Sequence, residues 1–147
     1  MKKVALYAVI GMVVLGCDNG NDLELAQIET KQTSEDSNER RYCFRNEYPF
    51  KDNPSDKDVK ELNIEIIGDT VEGTYNWIPV FKDKRMGQFS GSIANGVATV
   101  KYVFMQEGSE QEEVLEVKLY DNEVIVGGGL PEMGFAARIK KVLCVPE

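Results

Sequence analysis

The chain has 147 residues, a formal net charge of −8 and no histidine. That length holds one domain of ordinary size and a tail, and an acidic surface repels nucleic acid, so no nucleic-acid partner is expected. The lack of histidine removes Ser/His/Asp and Cys/His nucleophile systems, most zinc and copper sites and the usual proton shuttle at neutral pH, so no cofactor or metal is expected either.

In chain order, Lys2 and Lys3 precede an uncharged apolar run from Val4 to Leu15. The run is too short for a hydrocarbon core of about 30 Å, which takes about 20 apolar residues. A charged start, a short apolar stretch and a small residue at its end describe a secretory signal peptide over residues 1–16. The run closes on Val14-Leu15-Gly16-Cys17. This tetrapeptide resembles the lipobox of bacterial lipoproteins: an aliphatic residue, a variable one, Gly or Ala, then Cys. The resemblance implies cleavage before Cys17, a diacylglycerol on its sulfur and a further acyl chain, such as palmitate, on its new amine. Two or three chains anchor stably where one is marginal, since each buried CH₂ contributes about 0.8 kcal/mol. The competing reading is an ordinary signal peptide that leaves a cysteine nearby. Removing Lys2 and Lys3 makes the mature chain more acidic by two charges.

Residues 17–40 are polar, with isolated Leu23, Leu25 and Ile28 and no sustained period. Such a stretch buries too little surface to offset its ordering entropy and reads as a flexible tether. A short helix over Asp22 to Lys31 is only weakly supported.

From residue 41 to residue 147 the pattern is that of strands. Arg41 to Phe44 is short and aromatic, and Tyr48 to Lys57, with two prolines, is a loop. Val59 to Ile67 sets Leu62, Ile64 and Ile66 on one face, and Gly68-Asp69 turns. Val71, Gly73, Tyr75 and Trp77 share a face of the next run, and Lys82-Asp83-Lys84-Arg85 reads as a charged connection. Met86 to Ile93 alternates, and Asn95-Gly96 is a type I′ hairpin signal. Val97 to Gln106 places Ala98, Val100, Tyr102 and Phe104 together, and Gln111 to Tyr120 does so for Leu115, Val117 and Leu119. Glu123 to Val126 follows a tight turn at Asp121-Asn122. Pro131 to Lys141 is irregular, with one helical turn expected around Phe135-Ala136-Ala137, and Val142 to Val145 is a last strand holding Cys144.

Short strands, tight turns and period-2 alternation predict an all-β fold, an antiparallel up-and-down meander of about seven or eight strands. Its expected form is a small closed or partly closed, lipocalin-like barrel, with a β-sandwich as the alternative. Cys43 and Cys144 remain as a pair in an exported, oxidising setting, so a disulfide is expected, with a free-thiol or two-Cys metal pair as the competitor. Lying on the first and last strands, that disulfide would join the two exposed edges.

From Cys43 to Cys144 the order of features resembles a group of small, uncharacterised lipoproteins of Gram-negative bacteria. The matching residues are Cys43, Lys82-Asp83, Gly87-Gln88-Phe89-Ser90-Gly91, Tyr102-Val103-Phe104, Glu107-Gly108, Gly127-Gly128-Gly129 and Cys144. The resemblance implies a lipid anchor and a β fold; it brings no activity and no catalytic residue. Asp18 after the lipidated cysteine would mean inner-membrane retention under the sorting rule of enteric bacteria. That rule is not general, so the cell membrane and the outer membrane both stay open.

Tyr75, Trp77, Phe89, Tyr102 and Phe104 are the candidate pocket residues. A barrel of about eight strands has room for its own side chains or for one small ligand. Five aromatic rings favour filling, with a small apolar pocket near Trp77 and Tyr102 as the alternative. The glycines of Gly87-x-Phe89-x-Gly91 are read as making room for neighbouring rings rather than as a ligand mouth. Lys82 to Arg85 with Glu107, and the acidic runs, are read as solvated. The expected function is therefore a membrane-anchored, non-catalytic lipoprotein of the bacterial cell envelope, facing the periplasm or the cell surface. It would bind an envelope protein, or, as an alternative, carry a small apolar ligand. An envelope hydrolase would need two carboxyls about 5 to 10 Å apart across one cleft, and the carboxylates here fall on outward positions and turns.

Overall fold

The structure is a computed structural model that describes residues 38–145. The signal segment, Cys17 and the tether up to residue 37 lie outside the described residues.

Eight antiparallel strands follow one another: β1 (Glu39–Pro49), β2 (Lys57–Ile67), β3 (Thr70–Ile78), β4 (Arg85–Ala94), β5 (Val97–Gln106), β6 (Ser109–Leu119), β7 (Glu123–Gly128) and β8 (Ala137–Val142). Each pairs with the next and β8 returns to β1, so the sheet is a closed up-and-down barrel and not a sandwich. All strands and the disulfide lie within residues 39–144, so this stretch carries its own core and closes on itself.

Strand alternation decides what goes inside. Leu62, Ile64 and Ile66 of β2, Val100, Tyr102 and Phe104 of β5, and Leu115 and Val117 of β6 are all buried, while the residues between them point out. Two hairpins use paired left-handed residues. Asn95 and Gly96 have φ of 51° and 77°, and Glu107 and Gly108 have 52° and 74°, the backbone of a type I′ turn.

The sequence reading needs correction at three places. β1 is much longer than Arg41–Phe44, because Asn46 continues the inward row of Tyr42 and Phe44 as a polar residue and hides the alternation. The short helical turn is a 3-10 turn at Pro131–Met133, not around Phe135; Pro131 opens it and Gly134, at φ 64°, ends it. The last strand is Ala137–Val142, with Cys144 beyond its end. Ala137 and Ile139 face inward against Val126 and Val124 of β7.

The seam between β1 and β8 is thin, with two register pairs, Cys43↔Val142 and Phe44↔Lys141. Beyond them the Asn46 side chain takes over as a substitute peptide. Its Nδ2 donates to the Arg138 carbonyl at 2.8 Å, and its Oδ1 accepts from the Lys140 N–H at 3.0 Å. The Cys43–Cys144 disulfide, with Cα atoms 5.2 Å apart, clamps the same seam.

Up-and-down connectivity sorts the connections to two ends. One end carries the β2–β3, β4–β5 and β6–β7 turns, where the chain also enters and leaves. The other carries the β1–β2, β3–β4 and β5–β6 connections and the long segment 129–136 between β7 and β8.

Candidate functional site

The barrel interior is occupied by its own rings. Tyr102 stacks on Phe104 with centroids 5.0 Å apart, Tyr75 tilts against Tyr102 at 5.6 Å, and Phe135 meets Tyr102 and Phe104 edge-on. The phenols are both bonded: Tyr102 Oη donates to the Tyr75 carbonyl at 2.5 Å and Tyr75 Oη to the Phe135 carbonyl at 2.7 Å. Burial pushes the Tyr75 phenol up to about 12 and the Tyr102 phenol higher still, against the lowering charge of Arg85. Of the five candidate pocket residues, Tyr75, Phe89, Tyr102 and Phe104 are buried and Trp77 is half-buried. Tyr75, Tyr102 and Phe104 pack against one another, and Trp77 lies at the edge of this cluster beside Arg85.

Inward glycines make that filling feasible. A Cβ on Gly73 would come within 2.6 Å of the Phe89 ring, and one on Gly87 within 2.7 Å of the Tyr102 ring.

The end carrying segment 129–136 is closed by a residue expected to be solvated. Arg85 opens β4 on the inward face shared with Phe89 and is only 2 % exposed. Its guanidinium donates to the carbonyls of Met133 at 2.5 Å and Gly134 at 3.5 Å. It lies 4.4 Å from the Phe135 ring centroid and 5.6 Å from that of Trp77, within cation–π range. Cross-strand register runs from Asn46 to Lys60, from Lys60 to Trp77 and from Trp77 to Arg85. Lys60 shares the inward face of β2 with Leu62, and burial, then the charge of Arg85, holds its ammonium below the ordinary lysine value. On β5, Gln106 follows Phe104 on the inward side, and its amide oxygen is buried without a hydrogen-bond partner. Neither Lys60 nor Arg85 forms an ion pair among the described residues.

The opposite end is a shallow mouth of about 340 Å³. Tyr42, Phe44, Ile66, Ile93 and Leu119 contribute its apolar lining, and Arg40, Lys141, Asp69 and Asp121 its charged groups. Lys141 Nζ sits 4.5 Å from the Tyr42 ring centroid. A wider cleft of about 790 Å³ lies on the outer face, between Val142–Val145 and outward polar residues such as Asn63, Thr74, Gln88 and Ser90. Glu61 and Glu65 beside it are bonded to Arg45 and Arg41. Among the described residues no group of three His, Cys, Asp or Glu is placed to hold a metal ion.

Sequence reasoning missed Lys60, Arg85 and Gln106 as one end of the interior. Strand parity was the available signal, since each falls two or four residues from an inward aromatic or aliphatic residue. Cys43 and Cys144 are joined as expected, and Cys17 lies outside the described residues. Comparison with family models, curated proteins and solved structures returns no match.

Proposed function

We propose that the protein is a lipoprotein of the bacterial cell envelope, held by acyl chains on Cys17 and facing the periplasm or the cell surface. Its barrel acts as a non-catalytic binding module. The observation that carries the second half is the filled interior: Tyr75, Tyr102, Phe104 and Phe135 pack ring against ring where a hollow carrier would hold its cargo. Recognition then falls to the ends and the outer face. The outward Glu61 and Glu65, each tied to an arginine, support a structural role for these carboxylates rather than paired acid–base work. Val14-Leu15-Gly16-Cys17 supports the anchor.

The full chain, expressed in a Gram-negative host fed labelled palmitate, is expected to carry label and to sediment with membranes. The Cys17→Ser variant is expected to lose both. Label retained after that substitution would remove the anchor from this reading.

The apolar mouth lined by Tyr42, Phe44, Ile66, Ile93 and Leu119 favours a second reading, a carrier of one small apolar ligand. Its volume is at the lower limit of small-molecule sites, about 300 to 1,000 Å³. A reproducible added mass in a native mass spectrum, lost on Ile93→Lys, would support it.

A further inference from the structure

The barrel wall is incomplete toward the end that carries segment 129–136. β7 and β8 have six residues each where β2 and β6 have eleven, and β7 pairs only with Leu115–Leu119 of β6. At Gly128 and Gly129, with φ of 86° and 67°, the chain leaves that ladder and turns toward Phe135; a Cβ on Gly129 would lie 2.6 Å from the ring. Ser109–Val114 of β6 therefore has β5 on one side and no strand on the other. Peptide groups alternate in direction along a strand. The Leu119 N–H donates toward β5, to the Gly96 carbonyl, while the Val114 carbonyl accepts the Gly129 N–H on the opposite side. Glu110 and Glu112 share the parity of Val114, so their N–H and C=O groups point away from β5. They have no backbone partner there among the described residues, and both residues are exposed.

An open edge of this kind takes an extended chain as a further strand, the main chain giving affinity and alternate side chains selectivity. Along Ser109–Val114 and the β5 residues opposite, Lys101–Gln106, the charged groups are Glu110, Glu112, Glu113 and Lys101, the last bonded to Glu112 at 2.7 Å. Glu107 in the β5–β6 turn and Glu132 in segment 129–136 add to the same sign. A second copy of the chain would set glutamate against glutamate across the new ladder, and like charges directly opposite are destabilising. We propose that the free edge of β6 binds an extended, lysine- or arginine-bearing segment of another protein by strand addition. The segment's main chain pairs with the Glu110 and Glu112 peptide groups and the Val114 N–H. The open main chain binds; the glutamates select. The inference rests on the reading of the barrel as a binding module and adds the place and the partner chemistry.

Residues 38–147, which contain the whole closed barrel, would be titrated with a hexapeptide of alternating lysine and valine. Saturable binding is expected, with hydrogen exchange slowed at the Glu110, Glu112 and Val114 amides. A counterpart of the same charge with an N-methylated main chain is expected to bind at least tenfold more weakly. Glu112→Pro removes an N–H that makes no bond to β5, a substitution an edge tolerates, and is expected to weaken binding at least tenfold. Glu110→Lys, which leaves the main chain intact, is expected to do the same. Equal binding of the N-methylated peptide would reduce the contact to charge attraction and overturn the proposal. No saturable binding, or an unaltered affinity in Glu110→Lys, would overturn it as well. Protection of the same amides by self-association without peptide would make the occupant a second copy, which is also a refutation. None of these results bears on the palmitate label or on the mass-spectrometric test of the far mouth, so failure here leaves the lipoprotein and carrier readings to be decided separately.

Discussion

Gly87 shows how one missing side chain sets the interior. Its α-carbon faces the barrel between Val103, Phe104 and Tyr102, and an added Cβ would approach the Val103 carbonyl oxygen to 2.4 Å and Phe104 Cβ to 2.6 Å. The backbone contact cannot be relieved by a rotamer change, so the strand must move. Overpacking of this kind costs typically about 1 to 3 kcal/mol. Gly87→Ala is expected to destabilise the barrel by at least that amount in urea unfolding. Gly68→Ala, in a turn with nothing within 4 Å of its Cβ, is expected to cost about 1 kcal/mol, from its positive φ alone. Equal costs would mean that crowding at Gly87 is not what requires a glycine.

Among the elements, segment 129–136 departs furthest from its sequence reading. It is irregular by pattern, yet it seats Phe135, 1 % exposed, among Tyr102, Phe104 and Arg85. Its carbonyls at Met133, Gly134 and Phe135 receive the Arg85 guanidinium and the Tyr75 hydroxyl. The segment is therefore a stopper, with one ring inside and its backbone tied to the wall. Removing a buried Phe ring costs about 3 to 5 kcal/mol when the surroundings do not collapse. Phe135→Ala is expected to fall in that range and to open a cavity between the Tyr102 and Phe104 rings and the Arg85 guanidinium that takes up benzene or xenon. Loss of only a fraction of a kcal/mol, with no uptake, would show that the neighbouring rings close over the gap.

For the molecule as a whole, closure depends on its thinnest seam. The β1–β8 ladder has two register pairs where β1 and β2 have eleven, so the Asn46 amide and the disulfide carry much of the joining. The disulfide spans 101 residues, and chain-entropy arguments assign such a loop about 4 to 5 kcal/mol, a model-dependent figure. The double variant Cys43→Ala/Cys144→Ala is expected to lose several kcal/mol by denaturant titration, with amide exchange rising first along β1 and β8. Uniform loss of protection around the barrel would show that the bond acts on the unfolded chain and not on the seam.

Strand number, inward faces and turn positions were legible in the sequence because they depend on local alternation and turn chemistry. Leu62, Ile64 and Ile66 need no partner to be recognised as one face, and Asn95-Gly96 none to be recognised as a turn. The ring cluster at Tyr75, Tyr102 and Phe104 and the steric role of the glycines followed from the same rule. The destination of Arg85 did not, because a charged residue at the end of a charged run normally stays in water. It is buried only because carbonyls from residues 133 and 134, some fifty positions away, meet it there. Asn46 and Phe135 were hidden for the same reason: their partners are on β8 and β5, far off in sequence. Periodicity determined which residues turn inward; only closure of the barrel decided which of them meet, and so that its interior is filled and that Arg85 is buried.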